Sequence, residues 1–305
     1  MKNKNRKIFW KNKKIFITGH TGFKGAWMSL ILTELGAKVI GFSLKPTKKN
    51  NLYLDADLKN RIHKSYIGNI LDKEKLKKIL LKSRPDIIVH MAAQPLVKKS
   101  YIDPVDTFQT NILGTVNLLD IASKIKSAKL LLVTTSDKVY DIRNKKIFKE
   151  NDPLRGLDPY SASKVCQENI VLSYFVSFFK NKKSILTTRS GNILGGGDFS
   201  EDRIIPDYFK AYKENKKLYI RNPKSTRPWQ HVLDASYAYL KLIERFYNKY
   251  NNINEVSWNI SSVNKSNISV IQLIKNFNNL SKKQIKFKFT KKKFIENKIL
   301  NINSK

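Results

Sequence analysis

The chain has 305 residues, 41% hydrophobic and 27% charged, which is enough for a large buried core and too apolar for a disordered protein. No apolar run reaches the roughly 18–20 residues of a membrane span, and the charged N-terminus lacks the apolar segment of a signal peptide. We therefore expect a cytoplasmic protein without a membrane partner, and the single cysteine, Cys166, excludes a disulfide framework and a cysteine metal site.

The formal net charge of +35 suggests nucleic-acid binding at first sight. However, only 10 of the 59 basic residues are arginine, and the lysines are spread over the whole chain. A nucleic-acid face more often clusters its basic residues with arginine and aromatic side chains. We therefore predict no nucleic-acid partner, although a basic field could still attract an anionic substrate.

Apolar runs of strand length alternate with stretches of helical periodicity in the first two thirds of the chain. The predicted strands are 13–19, 37–43, 86–92, 128–136 and 184–192, and the predicted helices are 24–36, 72–83, 106–125 and 158–180. Continuous apolar strands between helices indicate a parallel sheet that is covered on both faces. We therefore predict an α/β fold, with a doubly wound Rossmann domain over residues 1–190.

Beyond residue 190 the alternation breaks down, and Gly, Pro and Arg mark loops. A helix is predicted at 232–248 and a strand at 256–261. This second part is too short to be independent. We therefore predict a smaller α/β cap over residues 191–305, which binds the substrate against the first domain.

The first strand is followed by the glycine-rich turn TGHTGFKG (18–25). Glycine lets the backbone turn tightly and approach a pyrophosphate, which then binds at the N-terminus of helix 24–36. A plain strand–helix turn also needs glycine, but this position between the first strand and the first helix favours a dinucleotide. No acid that could bind the adenosine ribose precedes Asp55, so these residues leave NAD and NADP open.

The helix predicted at 158–180 carries Tyr160 and Lys164 on one face, four residues apart. A nearby ammonium favours the phenolate and would lower the pKa of Tyr160 from about 10 toward the neutral range. Ser136, at the end of strand 128–136, is placed to align a substrate alcohol. Alone, such a Tyr/Lys pair can be an ordinary surface pair, but with the serine and the glycine turn it predicts proton transfer from an alcohol.

Asp137 and Lys138 follow directly, an acid and a base at the point where a buried strand should end. One interpretation is a local ion pair at a strand end. In a regular strand the two side chains would point to opposite faces of the sheet. If both act on one molecule, the chain must leave the strand at Asp137.

The chain resembles the extended short-chain dehydrogenase/reductase family. The resemblance rests on the motifs TGHTGFKG (18–25), HMAAQ (90–94), NILGT (111–115), TTSDKVY (134–140) and PYSASK (159–164). Further segments resemble the nucleotide-sugar 4,6-dehydratases, and among them the subgroup that acts on CDP-glucose. These segments are GNILGGGD (191–198), DRIIPD (202–207) and RNPKSTRPWQHVLD (221–234).

The resemblance implies a homodimeric hydro-lyase that uses NAD to convert a nucleotide sugar into a 4-keto-6-deoxy sugar. It implies Asp137 as the acid and Lys138 as the base of a water elimination, beside catalytic Ser136, Tyr160 and Lys164. The implied cofactor contacts are Gly19, Thr21, Gly22, Phe23, Lys24, Gly25, Asn69, Ile70, Ala92, Ala93, Gln94, Tyr160 and Lys164. The implied substrate contacts are Gln94, Ser136, Asn192, Arg203, Arg221, Arg227 and His231. With four widely spaced histidines, no metal site is expected.

Three features depart from the family pattern. Asn69 replaces the acid that usually meets the adenine, and Ser190 replaces a small apolar residue. The chain also ends before the last strand and helix of family members, so we expect an incomplete cap. Two alternatives stay open, namely another epimerase or dehydratase of the superfamily and a non-catalytic dinucleotide-binding protein. The acid–base pair argues against an epimerase.

Overall fold

The computed structural model describes residues 7–46, 50–144, 147–250, 256–261, 268–290 and 302–303. Its strands are β1 (Lys14–Thr18), β2 (Lys38–Ser43), β3 (Lys64–Ile67), β4 (Ile87–His90), β5 (Leu130–Thr134), β6 (Ser184–Ser190), β7 (Ile193–Leu194), β8 (Leu218–Ile220), β9 (Thr226–Arg227), β10 (Gln230–His231), β11 (Ser257–Ile260), β12 (Ile268–Ser269) and β13 (Phe287–Phe289). Its helices are α1 (Phe23–Glu34), α2 (Leu52–Asp55), α3 (Leu58–Arg61), α4 (Lys73–Ser83), α5 (Val97–Ile102), α6 (Pro104–Phe108), α7 (Gly114–Ser123), α8 (Pro159–Tyr174), α9 (Ile204–Glu214), α10 (Val232–Phe246) and α11 (Val270–Leu280).

One parallel sheet contains seven of these strands, in the order β11-β6-β5-β4-β1-β2-β3. Its central strands are mostly apolar and almost entirely buried, because helices cover both faces. The strand order reverses between β1 and β4, where a doubly wound sheet opens a crevice beyond the carboxyl ends of its strands. The predicted Rossmann fold is confirmed.

Two apolar layers hold the helices on the sheet. On one face, α1 and α10 contribute Met28, Leu32 and Tyr239, and on the other face α7 and α8 contribute Leu118 and Val171. Each such side chain contributes roughly 1.5–3 kcal/mol when it is fully buried. Among the described residues, no helix is both long and apolar enough to cross a membrane.

The cap has a small core of its own. Helices α9 and α11 pack around the parallel pair β8 and β13, with Tyr208, Ile220, Ile274 and Ile285 at the centre. The strand predicted at 256–261 does not belong to this cap. As β11 it pairs in parallel with β6 and extends the main sheet, so its assignment to the cap is wrong. The physical reason is that β6 would otherwise present an unpaired edge of backbone N–H and C=O groups.

Both long helices predicted from the sequence contain a π-helical turn, at Gln109–Leu113 and at Phe175–Phe179. In the first turn, Asn111 is fully buried. Its carboxamide accepts from the backbone N–H of Gln94 at 2.8 Å and donates to Ser163 Oγ at 2.9 Å. Asn111 therefore ties the loop after β4 to α8.

Candidate active site

The glycine turn lies where the strand order reverses. Gly19 has a φ of +78°, and a Cβ there would lie 2.7 Å from the backbone N of Ala92, just after β4. A Cβ on Gly25 would lie 2.1 Å from the carbonyl oxygen of Gly19. Only glycine fits either position, because the backbone after β4 lies against Gly19 and the turn itself lies against Gly25 on α1. The first-turn N–H groups of α1 are then available to an anion.

Other residues predicted to contact the cofactor follow β1, β3 and β4 along the same edge of the sheet. Gln94 differs from the others, because both the nitrogen and the oxygen of its carboxamide already form hydrogen bonds within the protein. Its Nε2 donates to the carbonyl of Leu96 at 3.1 Å and to Thr107 Oγ1 at 2.8 Å, and its Oε1 accepts from the N–H of Leu96 at 2.6 Å. Gln94 therefore shapes this loop. The remaining predicted contacts on this edge are Thr21, Phe23, Asn69, Ile70 and Ala93.

A cavity of about 260 Å³ opens between the carboxyl ends of β5 and β6 and the cap. From the Rossmann side it is lined by Lys24, Ser136, Asp137, Lys138 and Tyr160. From the cap side it is lined by Asn192, Arg203, Arg221 and Arg227. The structure thus brings together nine residues that the sequence analysis identified in six separate segments.

The chain leaves β5 at Thr134, and residues Asp137–Val139 form one turn of 3₁₀-helix. Ser136 Oγ accepts from the N–H of Lys138 and donates to Asp137 Oδ1, both at 3.2 Å. Both members of the acid–base pair therefore face one cavity, and the predicted exit from the strand is confirmed. Asp137 is only 1% exposed, and its Oδ2 has no partner among the described residues.

Tyr160 and Lys164 are both buried at the start of α8, with the Lys164 Nζ 5.9 Å from the Tyr160 ring centre. Burial raises the pKa of Tyr160 to about 12, although its hydrogen bond to Ser136 and the charge of Arg203 act in the other direction. Burial, with the charge of Lys24, lowers the pKa of Lys164 to about 7. The prediction that the lysine lowers the tyrosine pKa is therefore wrong for the protein chain alone, because desolvation opposes both charged forms.

His231 does not line the cavity. It is exposed at the start of α10, where its Nδ1 accepts from the N–H of Leu233 at 3.3 Å and caps the helix. Its role as a substrate contact stays a prediction, since only Nδ1 of the ring is used by the helix cap.

One cavity residue that the sequence did not indicate is Lys98 on α5. Its Nζ lies 3.0 Å from Asp202 Oδ1, and the same oxygen accepts from Arg221 Nη1 at 3.2 Å. This ion-paired set joins the Rossmann side to the cap at the cavity. Lys98 stands in a lysine-rich chain without a distinctive motif, so no sequence signal separates it from surface lysines.

Cations dominate the cavity. Burial, with the charge of Arg203, lowers the pKa of Lys24 to about 8, although the charge of Asp137 acts in the other direction. Arg203 itself is paired with Asp198 at 3.1 Å.

A family model for GDP-mannose 4,6 dehydratase matches residues 16–302. The chain belongs to this family.

Two curated dehydratases are similar to the chain over most of its length. A CDP-glucose 4,6-dehydratase of Salmonella typhimurium is 42% identical over 260 residues, which cover 83% of this chain and 72% of that protein. A dTDP-D-glucose 4,6-dehydratase of Dictyostelium discoideum is 35% identical over 241 residues, 74% of this chain and 54% of that protein. The resemblance read from the motifs is confirmed, and the named relatives are dehydratases.

Two solved structures of similar fold contain NAD or UDP-glucose. The dTDP-glucose 4,6-dehydratase of Bacillus anthracis, in complex with NAD, has a TM-score of 0.76 and 26% identity over 96% of this chain and 88% of that one. The UDP-glucose 4-epimerase of Thermotoga maritima, with UDP-glucose, has a TM-score of 0.80 at 21% identity, over 95% and 90% of the two chains. The second comparison shows the fold alone.

Proposed function

We propose that this protein is an NAD-dependent 4,6-dehydratase of a nucleotide sugar, with CDP-glucose as substrate and CDP-4-keto-6-deoxyglucose as product. The observation that carries the proposal is the 3₁₀ turn, which directs Asp137 and Lys138 into one cavity beside Ser136 and Tyr160. An epimerase or a simple reductase has no need of this additional acid and base. The 42% identity to a CDP-glucose 4,6-dehydratase supports the choice of nucleotide.

The glycine turn fits a dinucleotide. The cradle at Gly19 and Gly25 has no room for a side chain, and it brings the N-terminus of α1 to the edge of the crevice. Gly22 and Lys24 lie on the same turn, so a pyrophosphate there would meet backbone N–H groups and a cation. When bound, NAD supplies a hydride acceptor for C4 of the sugar and a hydride donor for C6.

The oxidation step is assigned to α8 and to the end of β5. Tyr160 hydrogen-bonds Ser136, so the two hydroxyls can hold the C4 hydroxyl of the sugar between them. As phenolate, Tyr160 takes the hydroxyl proton. Because burial, the largest effect, raises the pKa of Tyr160 to about 12, this step needs positive charge beyond that of the resting chain. A bound oxidised nicotinamide would add such a charge, and Lys164 is the cation that the chain itself holds beside the tyrosine.

The elimination step is assigned to the 3₁₀ turn. The ketone at C4 acidifies the C5 proton, which Lys138 accepts as the base. Asp137, as the acid, donates a proton to the C6 hydroxyl, which leaves as water. The buried Asp137 Oδ2, without a partner among the described residues, is the oxygen assigned to this hydroxyl. Lys138 then returns a proton to C5 as C6 is reduced, and the proton that Tyr160 took from the C4 hydroxyl replaces the one that Asp137 lost, so the cycle balances as the loss of one water.

The nucleotide diphosphate is assigned to the cap side of the cavity. Arginine forks match phosphate oxygens well, and Arg203, Arg221 and Arg227 face this space. Asn192, which follows β6, is assigned to the sugar or the adjacent phosphate.

We also propose a homodimer. Leu172, Val176 and Phe178 are each more than half exposed along α8 and its π turn, and Leu113 is similarly exposed on the neighbouring π turn. Apolar side chains gathered on adjacent helices are typical of a surface that a second copy covers. Self-association is favoured because one helical face can meet its own copy.

The first experiment is incubation of the purified protein and NAD with CDP-, dTDP-, UDP- and GDP-glucose in D₂O, followed by proton NMR. We expect a C6 methyl signal from CDP-glucose, with deuterium at C5 of the product. A methyl signal from another nucleotide would overturn the assignment to CDP-glucose. Conversion without a methyl would indicate epimerisation or simple oxidation, and no conversion of any substrate by an NAD-binding protein would contradict catalysis.

A variant tests the base. Lys138→Met should abolish formation of the methyl signal but retain part of the C4 oxidation, which is seen as reduced cofactor at 340 nm. Lys124→Met is the matched control, because this lysine is exposed on a helix that does not contribute to the cavity. Unchanged dehydration in Lys138→Met would remove the lysine from the mechanism.

A further inference from the structure

The buried end of Lys164 is held by two oxygen atoms. Its Nζ donates to Oε1 of Gln167 at 2.6 Å and to the carbonyl oxygen of Thr134 at 3.3 Å. Gln167 lies one helical turn further along α8 and is only 1% exposed. An ammonium has three N–H donors, so these contacts leave one for a further partner.

The orientation of the Gln167 carboxamide follows from its second contact. Its Nε2 donates to Thr115 Oγ1 at 2.6 Å. The Thr115 hydroxyl donates its single proton to the carbonyl of Asn111 at 2.7 Å, so its oxygen can only accept from the side chains around it. A flipped carboxamide would place its NH₂ against Lys164 and its carbonyl against an oxygen without a proton. The carbonyl of Gln167 therefore has to face Lys164.

The network continues into the centre of the sheet and reinforces this polarity. His90 Nε2 lies 3.0 Å from Thr115 Oγ1, and His90 Nδ1 lies 2.7 Å from Thr18 Oγ1. Because Thr115 accepts, Nε2 carries the ring proton, and Nδ1 accepts from Thr18. Thr18 in turn accepts from the backbone N–H of Ala92 at 3.2 Å. Burial lowers the pKa of His90 to about 3, in agreement with a ring that holds one proton.

We infer that Gln167 is a positioning residue, whose carbonyl oxygen, oriented by Thr115 and His90, favours the ammonium form of Lys164 and holds it toward Tyr160. This inference rests on the function proposed above for Lys164. It extends that function, because it assigns to the core of the Rossmann sheet the task of preparing the cation beside the tyrosine. The spacing of Tyr160 and Lys164 alone contains no indication of it.

The direct test measures the ionisation of Lys164 without catalysis. In protein with ¹³C-labelled lysine, the Lys164 signal is assigned by its absence from Lys164→Met and followed through a pH titration. A carbonyl acceptor favours the ammonium, so Gln167→Met should lower the pKa of Lys164 by roughly one pH unit, the effect of one hydrogen bond to a charged group. Asn169→Met, an exposed carboxamide on the same helix, should leave that pKa unchanged.

A second variant separates positioning from packing. Gln167→Glu keeps an oxygen against Lys164 whether the new carboxyl is ionised or protonated, so the pKa of Lys164 should not fall. An unchanged Lys164 pKa in Gln167→Met, or an equal fall in Gln167→Glu, would refute the inference. A lower melting temperature without a pKa change would likewise leave Gln167 with a structural role only.

The pH profile of dehydration gives the functional readout. If the ammonium is the active form, activity is lost as the pH rises through the pKa of Lys164, and Gln167→Met should move this alkaline limb down by the shift measured in the titration. If the wild type dehydrates none of the four sugar nucleotides, the proposed function fails. The titration still decides the role of Gln167 in that case.

Discussion

Replacement of Arg189 by methionine would test the buried ion pair beside the catalytic turn. Arg189 on β6 donates to the two carboxylate oxygens of Glu168 on α8, at 3.1 and 3.0 Å. It also donates to the Tyr140 hydroxyl at 2.9 Å and to the carbonyl of Glu150 at 2.8 Å. Glu168 accepts in addition from Thr135, at the end of β5. Both charged side chains are at least 96% buried.

The expected loss of stability follows from the Glu168 carboxylate, which stays buried when Arg189 is removed. Burial raises the pKa of Glu168, but the charge and hydrogen bonds of Arg189, with those of two threonine hydroxyls, outweigh it and hold that pKa below its ordinary value. Without Arg189 the buried carboxylate loses its cation, which costs about 3–5 kcal/mol. At about 2–4 °C per kcal/mol for domains of 150–250 residues, the melting temperature should fall by roughly 6–20 °C.

The penalty should also depend on pH. In the wild type the depressed pKa of Glu168 stabilises the fold above the unfolded value of about 4.3, and this stability is lost as the pH falls through the folded pKa. In Arg189→Met the same carboxyl is buried without a cation, so protonation stabilises the variant. The difference in free energy of unfolding between the two proteins should therefore shrink from pH 7 toward about pH 4.

Thermal unfolding followed by circular dichroism, at neutral and acid pH, measures both effects. Arg61→Met is the matched control, because its 2.7 Å pair with Glu34 is exposed, with 45% and 69% of the two side chains accessible. Such a pair contributes at most about 1 kcal/mol. If Arg189→Met lost no more stability than Arg61→Met, or lost the same amount at both pH values, the reasoning about the buried pair would be wrong.

Two further predictions concern the cofactor turn and the dimer. Gly19→Ala should weaken NAD binding roughly tenfold or more, since its positive φ and the close Ala92 backbone impose ~1–3 kcal/mol of strain. Gly196→Ala, where no atom of the described residues lies within 4 Å of the added methyl, should bind NAD normally in the same calorimetric titration. Equal loss in both variants would contradict the steric argument. Val176→Glu, at a position 61% exposed, should reduce the mass measured by light scattering from dimer to monomer, and an unchanged dimer would exclude this surface.

Features that depend on nearest neighbours in the chain were predictable from the sequence. The alternation of apolar strands and helices predicted the Rossmann fold, because the apolar pattern within each segment shows which of its faces are buried. The glycine turn and the departure of the chain from β5 before Asp137 followed from backbone sterics and side-chain alternation over a few residues. The same local patterns identified Ser136, Lys138 and Tyr160, which all line the cavity.

Features that depend on distant residues were decided by the tertiary structure. The pKa of Tyr160 is raised rather than lowered, because the depth of burial is a property of the packed domain. His231 caps a helix, and β11 completes the Rossmann sheet instead of the cap. The contact of Lys98 with Asp202 joins residues 104 positions apart, and that of Gln167 with Thr115 joins residues 52 positions apart. Local patterns carry no information on such pairs, because only the packing of the sheet against its helices and cap determines which of the many polar side chains meet.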